Sequence, residues 1–210
     1  MKTSWLTLLS AVSECRGCRL AETRTHTVPG EGDPHAALML IGEGPGEQED
    51  LTGRPFVGAA GQLLDRILAA AGLSREQVYI CNVVKCRPPH NRIPEPDECQ
   101  ACMGYLRQQV ALVKPKIILL LGATAAKAVL GPEIRITRDR GVWHLSHGVW
   151  ILATFHPSAL LRDSTKKRPV WEDMQAVKEK MHGLGVWPVE NTLHSDVPNK
   201  VPEGLPDEFL

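Results

Sequence analysis

Four short apolar runs stand out against a chain otherwise patterned for helices. They span Ala37 to Ile41, Gln77 to Val83, Lys116 to Leu121 and Val149 to Thr154. None alternates apolar with polar positions, so each predicts a strand buried on both faces, as parallel sheets require. Between them the apolar spacing turns helical. Leu63, Leu64, Ile67 and Leu68 share one face of a helix from Gly61 to Gly72, closed by its glycine. A second helix is predicted from Pro96 to Pro115, a third from Ala123 to Gly131 and a last from Pro169 to Gly185, with proline at the starts and glycine at the ends of several. The first fifteen residues are also apolar at helical spacing. "ITRDRGVWHLSHGVWILATF" predicts a hairpin feeding the last strand, with its turn near Ser146–Gly148.

Alternating strands and helices predict right-handed crossovers and an α/β fold of three layers, α/β/α, around a central four-stranded parallel sheet. Residues 1–186 form one domain in this reading. From residue 187 to 210 the chain is polar and proline-rich, and a loose tail is expected.

Charge changes the picture little. Lys plus Arg is 24 and Asp plus Glu is 24, so any nucleic-acid binding needs a local basic face. The N-terminal stretch lacks a basic start, a long apolar core and a small-residue cleavage site. No apolar run approaches the ~20 residues of a membrane span. A cytoplasmic protein with no membrane partner is expected. Six cysteines in that compartment point to metal or cluster ligands rather than disulfides.

In such sheets the site lies at the carboxyl ends of the strands. Four stretches emerge there: "GEGPGEQED", "NVVKCRPPHNR", "GATA" and "FHPSALLR". The first fails both glycine-rich phosphate patterns and carries Glu43, Glu47, Glu49 and Asp50, which would repel phosphate. A turn with backbone N–H groups and carboxylates suits a neutral, hydrogen-bonding ligand such as a nucleobase. Phe56 sits in the glycine-rich loop "GRPFVGAAG", where a ring either stacks on a planar ligand or packs in the core. Asn82 ends the second strand. Its amide offers a donor and an acceptor that match the O4 and N3–H edge of uracil. His156, before a proline at the last strand end, would face the same pocket. Beyond it, Leu160 and Leu161 read as an apolar wedge of the kind used by proteins that extrude a base. Arg162, Lys166, Lys167 and Arg168 follow as phosphate contacts, with Arg87 and Arg92 adding charge.

The cysteines form two C-x-x-C pairs, Cys15/Cys18 and Cys99/Cys102, with Cys81 and Cys86 besides. Spacing alone nominates the two pairs as a tetrad, for zinc or for a four-iron cluster, tying the N-terminal segment onto the domain.

Together "GEGPGEQEDLTGRPFVGAAGQLL", "NVVKCRPPHNRIPEPDECQAC" and "FHPSALLR" resemble the family 4 uracil-DNA glycosylases, the iron–sulfur type of bacteria and archaea. The resemblance runs in order from Cys15 to about Lys180 and implies a uracil-DNA glycosylase-like fold. It further implies hydrolysis of the N-glycosidic bond of uracil in single-stranded or duplex DNA, leaving an abasic site without strand cleavage. Uracil is held by Glu43, Gly44 and Glu49 of the glycine turn, stacked on Phe56, read by Asn82 and hydrogen-bonded at O2 by His156. Glu49 crowds out a thymine methyl. A structural 4Fe-4S cluster is bound by Cys15, Cys18, Cys86 and Cys102, so the family pattern replaces Cys99 with Cys86. Gly44 stands where another uracil glycosylase family has a water-activating Asp. Glu43 becomes the candidate catalytic residue, held by Asn91. A related group traps uracil covalently through a histidine at the place of His90, but the basic run around it is missing here. The expected partner is uracil-containing DNA and the expected state a monomer. Two rivals are a cluster-bearing DNA-binding module without catalysis and an enzyme acting on free uracil nucleotides.

Overall fold

The computed structural model describes residues 4–187; the predicted tail lies outside them, apart from its first residue. The elements are α1 (Trp5–Ser13), β1 (Glu31–Gly32), β2 (Leu38–Gly42), α2 (Glu47–Thr52), α3 (Ala59–Ala71), β3 (Tyr79–Asn82), α4 (Pro96–Val113), β4 (Ile117–Leu121), α5 (Ala123–Leu130), α6 (Ile136–Asp139), β5 (Trp143–Ser146), β6 (Val149–Thr154), α7 (Pro157–Arg162) and α8 (Lys167–Gly183).

The expected four-stranded sheet is corrected to a six-stranded mixed one, in the order β1-β3-β2-β4-β6-β5. Its interior, β3-β2-β4-β6, is parallel throughout. Both margins are antiparallel. At one margin β5 returns onto β6 through His147 and Gly148, both at positive φ (49° and 79°), as a two-residue hairpin turn requires. At the other, β1 is two residues long and includes a glycine, too short to show any periodicity.

Side chains along the inner strands alternate between two cores. Leu38, Leu40, Ile80, Leu119 and Leu152 pack with residues of α3, α7 and α8. Met39, Ile41, Cys81, Leu120 and Ala153 pack with residues of α4 and α5. Each face of the sheet thus has its own helical layer, which is why β2 and β4 are apolar at every position from Leu38 to Ile41 and from Ile117 to Leu121.

Two six-residue helices escape the sequence pattern. The stretch after Gly46 coils into α2, and "PSALLR" is α7 rather than a loop. That second difference corrects the wedge. Consecutive helical residues point about 100° apart, so α7 buries Leu160 and exposes Leu161. Leu160 is 2% exposed, within the cluster containing Leu64, Ile67 and Val170, whereas Leu161 is 51% exposed.

Candidate functional site

A cavity of about 630 Å³ opens at the carboxyl ends of the inner strands. Its lining includes Glu43, Gly44, Gly46, Glu49, Phe56, Asn82, Gly122 and His156. The strand ends, the glycine turn and the H-P-S segment therefore meet at one place.

At its floor, β2 and β3 run parallel with Gly42 beside Asn82. A Cβ built on Gly42 would lie 2.4 Å from Asn82 Oδ1 and 2.5 Å from Phe56 Cζ. Glycine here lets both side chains close over the strand. Asn82 is 1% exposed, and its Oδ1 is buried without a hydrogen-bond partner. Leaving a buried acceptor unpaired costs ~1–3 kcal/mol. An acceptor placed in this way is available to a donor from a ligand. Gly42→Ala should push Asn82 and Phe56 out of place. A shift of about 1 Å is enough to cost about 100-fold in rate, and a loss of that order is expected; assays of uracil release alongside circular dichroism would separate this from unfolding, and a fully active variant would contradict the packing.

Phe56 is 5% exposed and lies against His156, with ring centroids 5.6 Å apart and planes at 31°. Its backbone is left-handed (φ 52°). A bulky residue persists there only where its surroundings impose it. They do so from both sides. Glu49 Oε1 accepts from the backbone N–H groups of Val57 and Gly58, each at 2.8 Å. Arg75 donates to the carbonyls of Pro55 (2.6 Å) and Phe56 (2.9 Å). Arg75 is anchored in turn by Glu31 (2.6 Å) and Asp65 (2.8 Å). Glu49 also accepts from Gly46 N–H through Oε2, at 3.0 Å. One buried carboxylate thus clamps the glycine turn to the Phe56 loop. It lines the cavity, but its oxygens hold the site together.

His156 caps α7. Its Nδ1 accepts from Ser158 N–H at 3.2 Å and contacts Ser158 Oγ at 2.8 Å. A backbone N–H can only donate, so Nδ1 carries a lone pair and the ring proton sits on Nε2. Burial, together with the nearby Arg162 charge, pushes its pKa down to about 4. The cavity wall therefore presents a neutral imidazole with an N–H to give.

Glu43 is held by the Thr124 hydroxyl, which donates to Oε2. This corrects the expected partner: the Asn91 amide oxygen accepts from Arg87 Nε instead, at 2.8 Å. His90 is exposed and is not among the residues lining the cavity. Arg162 and Lys166 line the mouth. Lys166 is paired with Asp163 at 2.5 Å and Arg168 with Glu172 at 3.1 Å, so part of the expected basic patch is already neutralised.

Below the cavity, Lys85 is 1% exposed. Its Nζ donates to the Asn82 carbonyl and to Gln109 Oε1, both at 2.6 Å. Gln109 Nε2 donates to the Pro29 carbonyl (2.6 Å) and contacts the Tyr79 hydroxyl (3.1 Å). Burial pushes the lysine pKa down. This lysine interrupts a run of buried residues, Val83, Val84 and Cys86, a readable signal that the sequence reading passed over. Thr124 and Arg75 left no such trace, since their roles exist only through partners distant in the chain.

The cysteines gather beside this network. Cys15 and Cys18 act electrostatically on Cys86, and Cys18 and Cys86 act on Cys102. Burial pushes the Cys102 thiol up to about 11. The groups acting on Cys99 are instead the carboxylates of Glu43, Glu98 and Asp97. Among the described residues, no three His, Cys, Asp or Glu converge on a single-ion site. A single zinc draws its sulfurs to about 2.3 Å from one point, whereas a four-iron cluster takes one cysteine per iron and keeps them apart. Four thiol donors such as Cys15, Cys18, Cys86 and Cys102 suit either group by their chemistry. Arg24 Nη1 donates to Cys86 Sγ at 3.3 Å, the kind of outer hydrogen bond that steadies cluster sulfurs.

The model of the uracil DNA glycosylase superfamily matches residues 29–175. A type-4 uracil-DNA glycosylase of Thermotoga maritima is 47% identical over 173 residues, covering 80% of this chain and 89% of that protein. One of Sulfurisphaera tokodaii is 45% identical over 177 residues, covering 80% of each. One of Archaeoglobus fulgidus is 39% identical over 180 residues, covering 82% and 90%.

Proposed function

Since the chain belongs to the uracil DNA glycosylase superfamily, and within it to the type-4 enzymes, we propose that it removes uracil from DNA by hydrolysing the N-glycosidic bond, the first step of base excision repair. The observation that carries this reading is the buried, unpartnered Asn82 Oδ1 in a cavity walled by Phe56 and His156. Uracil N3–H supplies the missing donor. Cytosine has a lone pair at N3 and an amino group where uracil has O4, so it mismatches both ends of the amide. Sites built around buried hydrogen-bonding groups reject such analogues strongly.

Bond cleavage leaves positive character on the sugar and negative charge on the base. The neutral His156 gives its Nε2–H to uracil O2 as that charge grows, and one such donor is worth ~2.7–4 kcal/mol of barrier. Phe56 stacks on the extruded ring, at ~1–3 kcal/mol per base. We assign to Glu43, oriented by Thr124, the water that attacks the sugar. Gly44 beside it carries no side chain that would compete for this role. Glu49 acts by clamping the two loops, so its exclusion of a thymine methyl is a consequence of the shape it fixes. Leu161, Arg162, Lys166, Lys167 and Arg168 form the DNA-facing side of α7 and the start of α8.

Cys15, Cys18, Cys86 and Cys102 would hold a 4Fe-4S cluster, which supplies a cross-link between the N-terminal segment and the base-reading strand and takes no part in the hydrolysis. Among the described residues, no helix is long and apolar enough to cross a membrane. We place the enzyme in the cytoplasm, as a monomer.

The test is an oligonucleotide with one uracil, incubated with the protein and then cleaved with alkali at abasic sites. Breaks at uracil support the reading, and uracil-independent binding without breaks defeats it. The same assay, run at single turnover across pH, checks the histidine. With a folded pKa of about 4 against an ordinary 6.5, the release rate should stay level through 6.5 and fall only as pH approaches 4. In that window the unfolded chain binds a proton that the folded one refuses, so stability should rise with pH. A rate that falls as pH rises through 6.5 would instead mean that the imidazolium is the working form, and one that falls as pH drops through 6.5 would mean that burial does not lower the pKa.

A further inference from the structure

Ile93 lines the cavity and is nevertheless 68% exposed. The other large apolar side chains exposed among the described residues, Leu161 included, do not line it. The loop that carries Ile93 is held hard. His90 and Asn91 both take left-handed backbone, at φ 55° each, a conformation that persists outside glycine only when enforced. Arg92 enforces it with two bonds to Glu98 (2.8 and 2.6 Å) and a third to the Ile93 carbonyl (3.0 Å). Glu98 also accepts from Glu95 N–H at 2.8 Å, and Pro94 restricts the backbone of Ile93 before it. The result is a stiff apolar prong at the edge of the cavity.

Its placement follows from the sheet. The Ile93 loop leaves β3, whereas Leu161 lies on α7, which leaves β6. Between β3 and β6 stand β2 and β4. Three interstrand spacings of about 4.8 Å put those strand ends about 14 Å apart. Ile93 and Leu161 are thus exposed apolar side chains on segments that follow different strands of the sheet, and of the two only Ile93 lines the cavity.

We propose that Ile93 is a second wedge, in addition to Leu161, pressing into the base stack of duplex DNA beside the extruded uracil. The inference rests on the glycosylase reading above. Extruding a base from a duplex opens a gap in the stack, and apolar side chains inserted there hold it open. Single-stranded DNA has no such gap, so the prong separates the two substrates.

The test compares wild type, Ile93→Ala and Ile93→Met by single-turnover uracil release from one oligonucleotide, single-stranded or paired with its complement. A 2-aminopurine next to the uracil reports unstacking by fluorescence. Ile93→Ala should slow duplex release about tenfold, leave single-strand release within about twofold, and abolish the fluorescence rise. Ile93→Met should retain most of both signals. Equal loss on both substrates, or no loss on the duplex, would overturn the wedge. Failure of wild type to release uracil from either substrate would bring down the glycosylase reading and the wedge with it.

Discussion

Replacing Asn82 with alanine is expected to lower uracil release about 100- to 1000-fold while leaving the thermal midpoint unchanged or higher. The two halves come from one atom. Asn82 Oδ1 is buried with no partner in the protein, so truncation to alanine breaks no hydrogen bond of its own and removes a polar atom that is costly to bury unpaired, at ~1–3 kcal/mol. The small void left by truncation offsets part of that relief. Activity has no such compensation, because the lost amide is the group that pairs with the N3–H and O4 edge. Rates on a uracil-containing single strand and a calorimetric scan check the pair of outcomes. A variant that loses stability in step with activity would show Asn82 to be a structural residue.

The second large effect concerns the cysteines. Cys86→Ser is expected to lose iron and the visible absorbance of a cluster, and to unfold with several kcal/mol less stability, since structural metal binding is itself folding free energy. Cys99→Ser is expected to keep its iron. Cys86 lies in the electrostatic reach of Cys15, Cys18 and Cys102, whereas Cys99 answers to Glu43 and Glu98. Iron content per chain and limited proteolysis of the N-terminal segment are the measurements. Iron lost from the Cys99 variant and kept in the Cys86 variant would restore the tetrad drawn from C-x-x-C spacing.

Spacing along the chain and the family resemblance differ over this ligand. Spacing paired Cys99 with Cys102 because local intervals are visible along a chain. The approach of Cys86 to Cys15 depends on how β3 and α1 are brought together, which no interval encodes. The inner strands were legible because burial on both faces removes every polar position from Leu38 to Ile41 and from Ile117 to Leu121. The two-residue β1 and the six-residue α2 and α7 were not, since a period needs more than one or two turns to declare itself. Leu160 and Leu161 looked alike as letters and diverged once a helix turned one inward. Asn82, Phe56 and His156 were placed at one pocket by strand-end logic. The hydroxyl on Glu43, the guanidinium on the Phe56 carbonyl and the ammonium on the Asn82 carbonyl come from Thr124, Arg75 and Lys85, whose partners no motif brings together.

The double grip of Glu49 has a consequence for motion. The two walls that would enclose a flat base, the glycine turn and the Phe56 loop, hang from the two oxygens of one carboxylate. Their separation is therefore set by covalent geometry more than by packing. Thermal displacement of one wall carries the other with it, so the slot shifts as a unit and behaves as a gauge of fixed width.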